Sequence, residues 1–412
     1  MRVPRIERRA TLSRPLKTSL RAGVGALFAG LLFVQSALGG SLNDLETLIG
    51  PRDALLVVDP HGRVLVEKNA RQPLVPASIL KILTSLVAIH HLGLDHRFLT
   101  EFYLDEKGNL TIKGYGDPLM VSETLADIAG ALAAKTARVN NIVLDDSHFA
   151  QPLEIPGTST SIRPYDAPNG SLCVNFNTVN FKKEGGAFFS AEPQTPLLPM
   201  VLDRLRSSGL TRGRIVLSHD ENRITLYAGR LFEHFLRQAG VEVSGKVLLG
   251  RVKQGEDRLL YRHFSPFTLQ DIIGKLLDHS NNFTTNQILI AAGIEAYGPP
   301  GTLEKGVAAA RAFAGDVLEL KDLSISEGSG ISRNNQVSAR DMDRVLEVFA
   351  PHHALLRKEG RQYYKTGTLR GISTRAGYME DWNGGLHRFV VMINTPGKSA
   401  VEVSRRLQAR LK

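Results

Sequence analysis

Ser78-Ile79-Leu80-Lys81, running on into Ile82-Leu83-Thr84-Ser85-Leu86-Val87-Ala88-Ile89, is the stretch on which the reading of this chain turns. Ile79, Leu80, Leu83, Leu86, Val87 and Ile89 recur mostly three and four residues apart, which predicts a helix over Ser78–Leu92, ended by Gly93. On that helix Ser78 and Lys81 share a face within hydrogen-bond reach. A serine hydroxyl is a weak nucleophile until a base takes its proton. A lysine amine can be that base once burial or a second cation lowers its pKa. Ser78 opens the helix, so the helix dipole and free backbone amides face any negative charge that develops beside it. Taken alone the pair is common, and a capping serine followed by a surface lysine accounts for it equally well.

Outward from this stretch, Ala54–Val58 and Val64–Val66 read as a hairpin around Asp59-Pro60-His61-Gly62. From about Phe98 to Leu260 the texture changes. Short β-like segments (Leu110–Lys113, Asn141–Leu144, Ile215–Leu217, Val247–Leu249) alternate with helical ones (Leu119–Lys135, Leu197–Ser207, Arg230–Ala239). Leu269–His279 and Phe283–Ile294 are apolar helices, and Ser280-Asn281-Asn282 falls between them. Lys365-Thr366-Gly367-Thr368-Leu369 precedes the strand-like Thr374–Gly377 and Phe389–Asn394. Val401–Leu411 closes the chain as a helix, with basic residues near its end as the dipole prefers. The expected fold is α+β, an antiparallel sheet sandwiched by helices, with a large α/β insertion between the first two motifs.

Three motifs thus stand in order: Ser78-x-x-Lys81, Ser280-x-Asn282 and Lys365-Thr366-Gly367. That order resembles the serine penicillin-binding proteins and β-lactamases. Two decoys of the form Ser-x-Asn, Ser41-Leu42-Asn43 and Ser332-Arg333-Asn334, lie in the wrong place. The resemblance implies that Ser78 is the nucleophile, Lys81 its base and Ser280 the relay to the leaving amine. Asn282 then bonds a substrate amide. Lys365, Thr366 and Thr368 hold a terminal carboxylate on an edge strand, where Gly367 permits close approach. The backbone amides of Ser78 and Thr368 make the oxyanion hole. For each motif the plain alternative is a helix cap or an exposed turn; their joint occurrence favours the catalytic reading.

The interval from Ser78 to Ser280 is far longer than a compact β-lactamase of the class A type carries. Five stretches narrow the resemblance to D-alanyl-D-alanine carboxypeptidases/endopeptidases of the penicillin-binding protein 4 type: Lys113-Gly114-Tyr115-Gly116-Asp117-Pro118-Leu119, Leu144–Phe149, Val174-Asn175-Phe176-Asn177, Glu327-Gly328-Ser329-Gly330-Ile331-Ser332-Arg333 and Lys365–Leu369. The chain departs from that pattern at Asn281 and Glu327, where the family usually has aspartate, and in a shorter segment between Phe349 and Lys365. No Glu-x-x-Leu-Asn stands between Ser280 and Lys365, so the resemblance implies slow hydrolysis of a β-lactam acyl-enzyme. Arg333 and Arg370 are candidates to grip a substrate carboxylate, with ordinary surface arginines as the alternative. The Asp145-Asp146 pair reads as a solvated turn.

Composition sets the outer limits. A chain of 412 residues is expected to hold two or three domains of about 150 residues each. Residues 1–21 hold seven basic residues against one glutamate, so most of the net charge of +10 belongs to this end. The apolar run Ala22–Val34 and the small residues after it complete the pattern of a secretory leader over 1–39, with an uncleaved anchor and peripheral membrane association as the alternative. The division expected is 40–97 plus 261–412 as a catalytic domain in two halves, and 98–260 as the insertion. Cys173 lies between apolar neighbours and reads as a small buried hydrophobe. Nucleic acid is not expected as a partner, since no basic stripe is interleaved with aromatics. No histidine spacing suggests a metal, and no cofactor is expected. The expected partners are peptidoglycan stem peptides, with β-lactams as covalent inhibitors. The alternatives left open are a β-lactamase or esterase on the same fold, and a peptidoglycan-binding module without turnover.

Overall fold

The computed structural model describes residues 45–320 and 323–411; the expected leader over 1–39 and the Ser41 decoy lie outside them. The hairpin of β1 (Asp53–Val58) and β2 (Val64–Lys68) comes first. Asp59 organises its turn, with Oδ1 accepting from the backbone N–H of His61 and of Arg63, as turn aspartates commonly do. A 3₁₀ turn over Ala77–Leu80 then runs into α1 (Lys81–Leu92). The predicted helix therefore begins as a tighter turn carrying Ser78, and Lys81 is the first α-helical residue.

Next come β3 (Leu99–Leu104), β4 (Leu110–Gly114), α2 (Ser122–Ala133), β5 (Arg138–Val139), β6 (Ile142–Asp145), β7 (Thr178–Glu184), β8 (Ala187–Ser190), α3 (Pro199–Ser208), β9 (Arg212–Val216), α4 (Glu221–Gln238), β10 (Glu242–Val243), β11 (Val247–Leu249) and β12 (Arg258–Phe264). The last stretch holds α5 (Leu269–His279), α6 (Asn282–Tyr297), α7 (Leu303–Asp316), α8 (Ala339–Phe349), β13 (Arg357–Glu359), β14 (Gln362–Leu369), β15 (Ile372–Glu380), β16 (Leu386–Ile393) and α9 (Ala400–Arg410).

Six strands in the order β13-β14-β15-β16-β1-β2 form one sheet, antiparallel at every neighbouring pair. Strands from the two ends of the chain meet where β1 pairs with β16, from Asp53 opposite Ile393 to Val58 opposite Arg388. Strand alternation sends β1 side chains to both faces. Leu55 and Val57 pack with Val391, Val403 and Leu407 under α9. Leu56 and Val58 pack with Val390, Ile82, Leu86 and Val345 under α1 and α8. The sheet sandwiched by helices is the fold expected from the sequence.

A second sheet, in the order β11-β6-β4-β3-β12, is mixed. Its β12-β3-β4 side is antiparallel and its β4-β6-β11 side parallel. Phe102, Ile112 and Leu144 pack there with Leu125 and Ile128 of α2 and with Leu231 and Phe235 of α4. Helix α4 starts at Glu221 rather than Arg230, because Asp220 caps it by accepting from the Arg223 N–H at 2.8 Å. Strand β12 pairs with β3 out to Phe264 opposite Leu99, so the expected join at 260/261 falls inside a strand. The Asp145-Asp146 pair is only partly solvated: Asp145 ends β6, and Asp146 is half-buried. Asp145 is buried and accepts from Ser147 and from the Val252 N–H, while Asp146 accepts from Thr225.

Candidate active site

Ser78 is held out by a strained turn. Ala77, just before it, has φ 48, a left-handed conformation that costs an L-residue on the order of 1 kcal/mol. Its surroundings enforce it. Thr374 Oγ1 donates to the Pro76 carbonyl at 2.6 Å. A Cβ on Gly330 would lie 1.9 Å from the Ala77 oxygen, and one on Gly367 would lie 2.7 Å from the Ser78 nitrogen. Both glycines are thus required by contact, and strand β14 is brought directly against the Ser78 amide.

Lys81 is fully buried. Its Nζ donates to Ser78 Oγ at 3.1 Å, to Asn282 Oδ1 at 2.8 Å and to the Ser329 carbonyl at 2.6 Å. Burial, and next the positive charge of Lys365, bring its pKa down to about 7, against an opposing pull from Glu327. A buried amine with a lowered pKa beside a serine hydroxyl has the placement that general-base chemistry requires.

Helices α5 and α6 meet at the second motif. Ser280 turns the chain at φ 56, and Asn281 caps α6 by accepting from the Thr284 N–H at 2.9 Å. Asn282 turns its Oδ1 to Lys81 and its Nδ2 to the Tyr165 carbonyl at 3.4 Å. Among the described residues, the Ser280 hydroxyl makes no hydrogen bond. Helix α6 is tied to the 99–264 segment by Gln287, whose Nε2 donates to the carbonyls of Gly116 and Gly170. Asn169 donates to the Phe283 carbonyl from the other side.

The third motif lies along β14. Strand β15 pairs with all of β14, but β13 pairs only with 362–364. Among the described residues no strand pairs with the outer edge of Lys365–Leu369. Lys365 is buried, and its Nζ donates to the Thr366 carbonyl at 3.0 Å. Burial lowers its pKa to about 8, with Asp278 opposing and Arg357 adding to the shift. Thr366 and Thr368 are exposed beside the buried Gly367. Arg333 and Arg370 are exposed, and the Arg333 guanidinium donates to the Arg370 carbonyl at 2.5 Å. The structure brings these two together at the end of the same strand.

Motif spacing does not reveal the ring of groups behind Lys81. Glu327 is fully buried. Its carboxylate accepts from the Ser329 N–H (2.6 Å), the Ser329 hydroxyl (2.7 Å), the Gly330 N–H (2.7 Å), the Ser332 N–H (3.2 Å), Asn335 Nδ2 (2.6 Å) and Asn286 Nδ2 (3.2 Å). Ser332, the decoy serine, thus belongs to this loop. The only sequence signal was that Glu327 stands where a related pattern has aspartate. Among the described residues, no group of three or more His, Cys, Asp or Glu is arranged to hold a metal. Cys173 is buried, and burial pushes its thiol up to about 12.

This geometry sits in a chain whose residues 34–195 and 214–357 match the D-Ala-D-Ala carboxypeptidase 3 (S13) family. The chain belongs to that family. Two curated relatives cover most of it. The D-alanyl-D-alanine carboxypeptidase of Actinomadura sp. (strain R39) is 25% identical over 443 residues, spanning 88% of this chain and 82% of that protein. The D-alanyl-D-alanine carboxypeptidase DacB of Haemophilus influenzae is 28% identical over 402 residues, spanning 81% and 83%. Penicillin binding protein 4 from Haemophilus influenzae has the same fold, with a TM-score of 0.70 at 20% identity, covering 88% of this chain and 94% of that one. Its complex with a β-lactam gives 0.66.

Proposed function

We propose that this S13 chain is a serine D,D-carboxypeptidase that trims terminal D-alanine from peptidoglycan stem peptides through an acyl-enzyme. The observation that carries this is the buried Lys81 amine 3.1 Å from Ser78 Oγ, at the edge of a strand open to an extended peptide. Ser78 Oγ attacks the carbonyl of the penultimate D-alanine while Lys81 takes its proton. The amides of Ser78 and Thr368 receive the oxyanion. Ser280 passes the proton to the departing D-alanine nitrogen, and water then releases the shortened peptide. Lys365, Thr366 and Thr368 bind the terminal carboxylate, with Arg333 and Arg370 at the rim. Asn282 orients Lys81 and the substrate amide. Cleavage of cross-links is a second activity of the same site, and a β-lactam acylates Ser78 and leaves slowly.

Residues 98–260 are read as an accessory insertion, extended to take in the rest of β12. The enzyme works outside the cytoplasmic membrane, in the periplasm. This rests on the leader pattern; among the described residues no helix is long and apolar enough to cross a membrane.

The test compares the protein with its Ser78→Ala variant on a muropeptide ending in D-alanyl-D-alanine and on a cross-linked dimer, followed by mass spectrometry. Loss of one D-alanine only when Ser78 is present is the expected result. Folded protein that releases nothing from either substrate would leave a binding module as the better reading, and rapid penicillin turnover would point to a β-lactamase.

A further inference from the structure

Behind the reacting atoms lies a carboxylate that no step above uses. Two helices and a residue further along the same loop hold Glu327's stretch in place. Thr84 Oγ1 of α1 donates to the Gly328 carbonyl at 2.7 Å. Asn286 of α6 accepts from the Gly328 N–H at 2.8 Å. Asn335 accepts from the Ser326 N–H at 2.8 Å while donating to Glu327. The loop's next carbonyl, at Ser329, is the shortest contact that Lys81 makes. Glu327 takes both the N–H and the hydroxyl of that same Ser329.

We propose that Glu327 is a positioning residue for catalysis: it aims the Ser329 carbonyl at the Lys81 amine and holds a buried negative charge one residue removed from that amine. Two things set it apart from an ordinary loop staple. All its hydrogen-bond donors are neutral, so no adjacent cation cancels its charge. It reaches Lys81 through one residue, with no direct ion pair among the described residues, so it biases the amine without consuming it.

The charged groups facing Lys81 are few. Lys365 on β14 opposes its ammonium form and Glu327 favours it, while α6 offers only the neutral Asn282. Lys365 in turn feels Asp278 and Arg357. The sign follows. Removing the Glu327 charge makes the ammonium less stable, so Lys81 becomes a base at lower pH.

The inference rests on the serine-peptidase reading, and its test separates the two. Acylation of the full chain by a fluorescent penicillin is timed from pH 5 to 9. Glu327→Gln should move the rising limb down by about 1 pH unit and lower the plateau about 10- to 100-fold as the Ser329 carbonyl drifts. Glu327→Asp, which keeps the charge, should keep the limb. A lower plateau with an unmoved limb in Glu327→Gln makes the residue a staple only and overturns the proposal. Should Glu327→Gln not fold, Asn335→Ala is read instead. It leaves the carboxylate less compensated, so the limb should move up in pH, and an unmoved or lowered limb overturns the proposal equally. No acylation of the unaltered protein at any pH would overturn the peptidase reading and this inference with it.

Discussion

Glu101 in the five-stranded sheet and Glu327 beside the Ser78 helix are both buried carboxylates, and their two regions treat them differently. Glu101 accepts from Tyr103 and Tyr115 hydroxyls at 2.6 Å each and from Arg262 Nε at 2.8 Å. Burial works to raise its pKa, but these three partners overcome burial and hold it below the usual carboxylate range. The cation at contact closes the charge locally, and the group acts as a clamp between β3, β4 and β12. Glu327 is surrounded by neutral donors, so its field extends to Lys81. A buried charge neutralised in place builds structure. One that is hydrogen-bonded but not neutralised stays available to tune chemistry.

The sharpest way to break this contrast is at the base. Lys81→Met should slow penicillin acylation about a thousandfold, and in the unaltered protein the rate should rise with pH through about 7, where Lys81 loses its proton. A rate independent of pH between 6 and 8 would remove Lys81 from that role. Gly367→Ala comes next. The added Cβ would stand 2.3 Å from Thr374 Oγ1 and 2.7 Å from the Ser78 nitrogen, so β14 must withdraw and acylation should fall about a hundredfold. Because the clash includes backbone and Gly367 lies buried in its strand, the melting temperature should fall as well, by the equivalent of about 1–3 kcal/mol.

In the other region the expected effects are on stability. Glu101→Gln leaves two phenols and an arginine underpaired and should cost about 2–3 kcal/mol in urea unfolding, discounted because Arg262 is half exposed. Acylation per folded molecule should stay as it was; a drop in that rate would mean the clamp reaches the site. The smallest effect is expected at Asp117, before α2. The Leu119 N–H donates to its Oδ1, and burial raises it from 3.8 to about 6 against the opposing pull of the Leu119 N–H and the Ser265 hydroxyl. In that window the folded state holds a proton that the unfolded chain has lost, so stability falls as pH rises through it. Asp117→Asn should therefore stabilise the protein by roughly 1–2 kcal/mol at pH 7, and by nothing near pH 3.5.

The sequence carried the parts that depend on neighbours in the chain. Ser78 and Lys81 are one helical turn apart, so their meeting needs no knowledge of the rest. The apolar periodicity of α1 and α5, the apolar run of α6 and the apolar, β-branched run of β1 were equally plain. What joins Lys81 to Asn282, Ser329 and Glu327 spans some 200 residues or more of chain, and only packing brings them together. Pattern reading assigned no helix to α7 or α8 and no strand to β3, β7, β8 or β12. Strand β12 is mostly exposed, so it lacks the one-sided burial that makes alternation visible. Asp145 was read as solvated because its donors, Ser147 and Val252, include one from a distant loop.

The open margin of β14 carries a cost of its own. A bare strand rim will zip onto any extended chain, including another copy of itself. Strand β13 shields 362–364 and leaves five residues uncovered, about 17 Å of rim. Ser78 and its turn stand across that gap. Five residues is an ordinary strand length, so this rim can take up the end of a peptide as readily as a second copy of the chain, and the opening that admits the one leaves the protein exposed to the other.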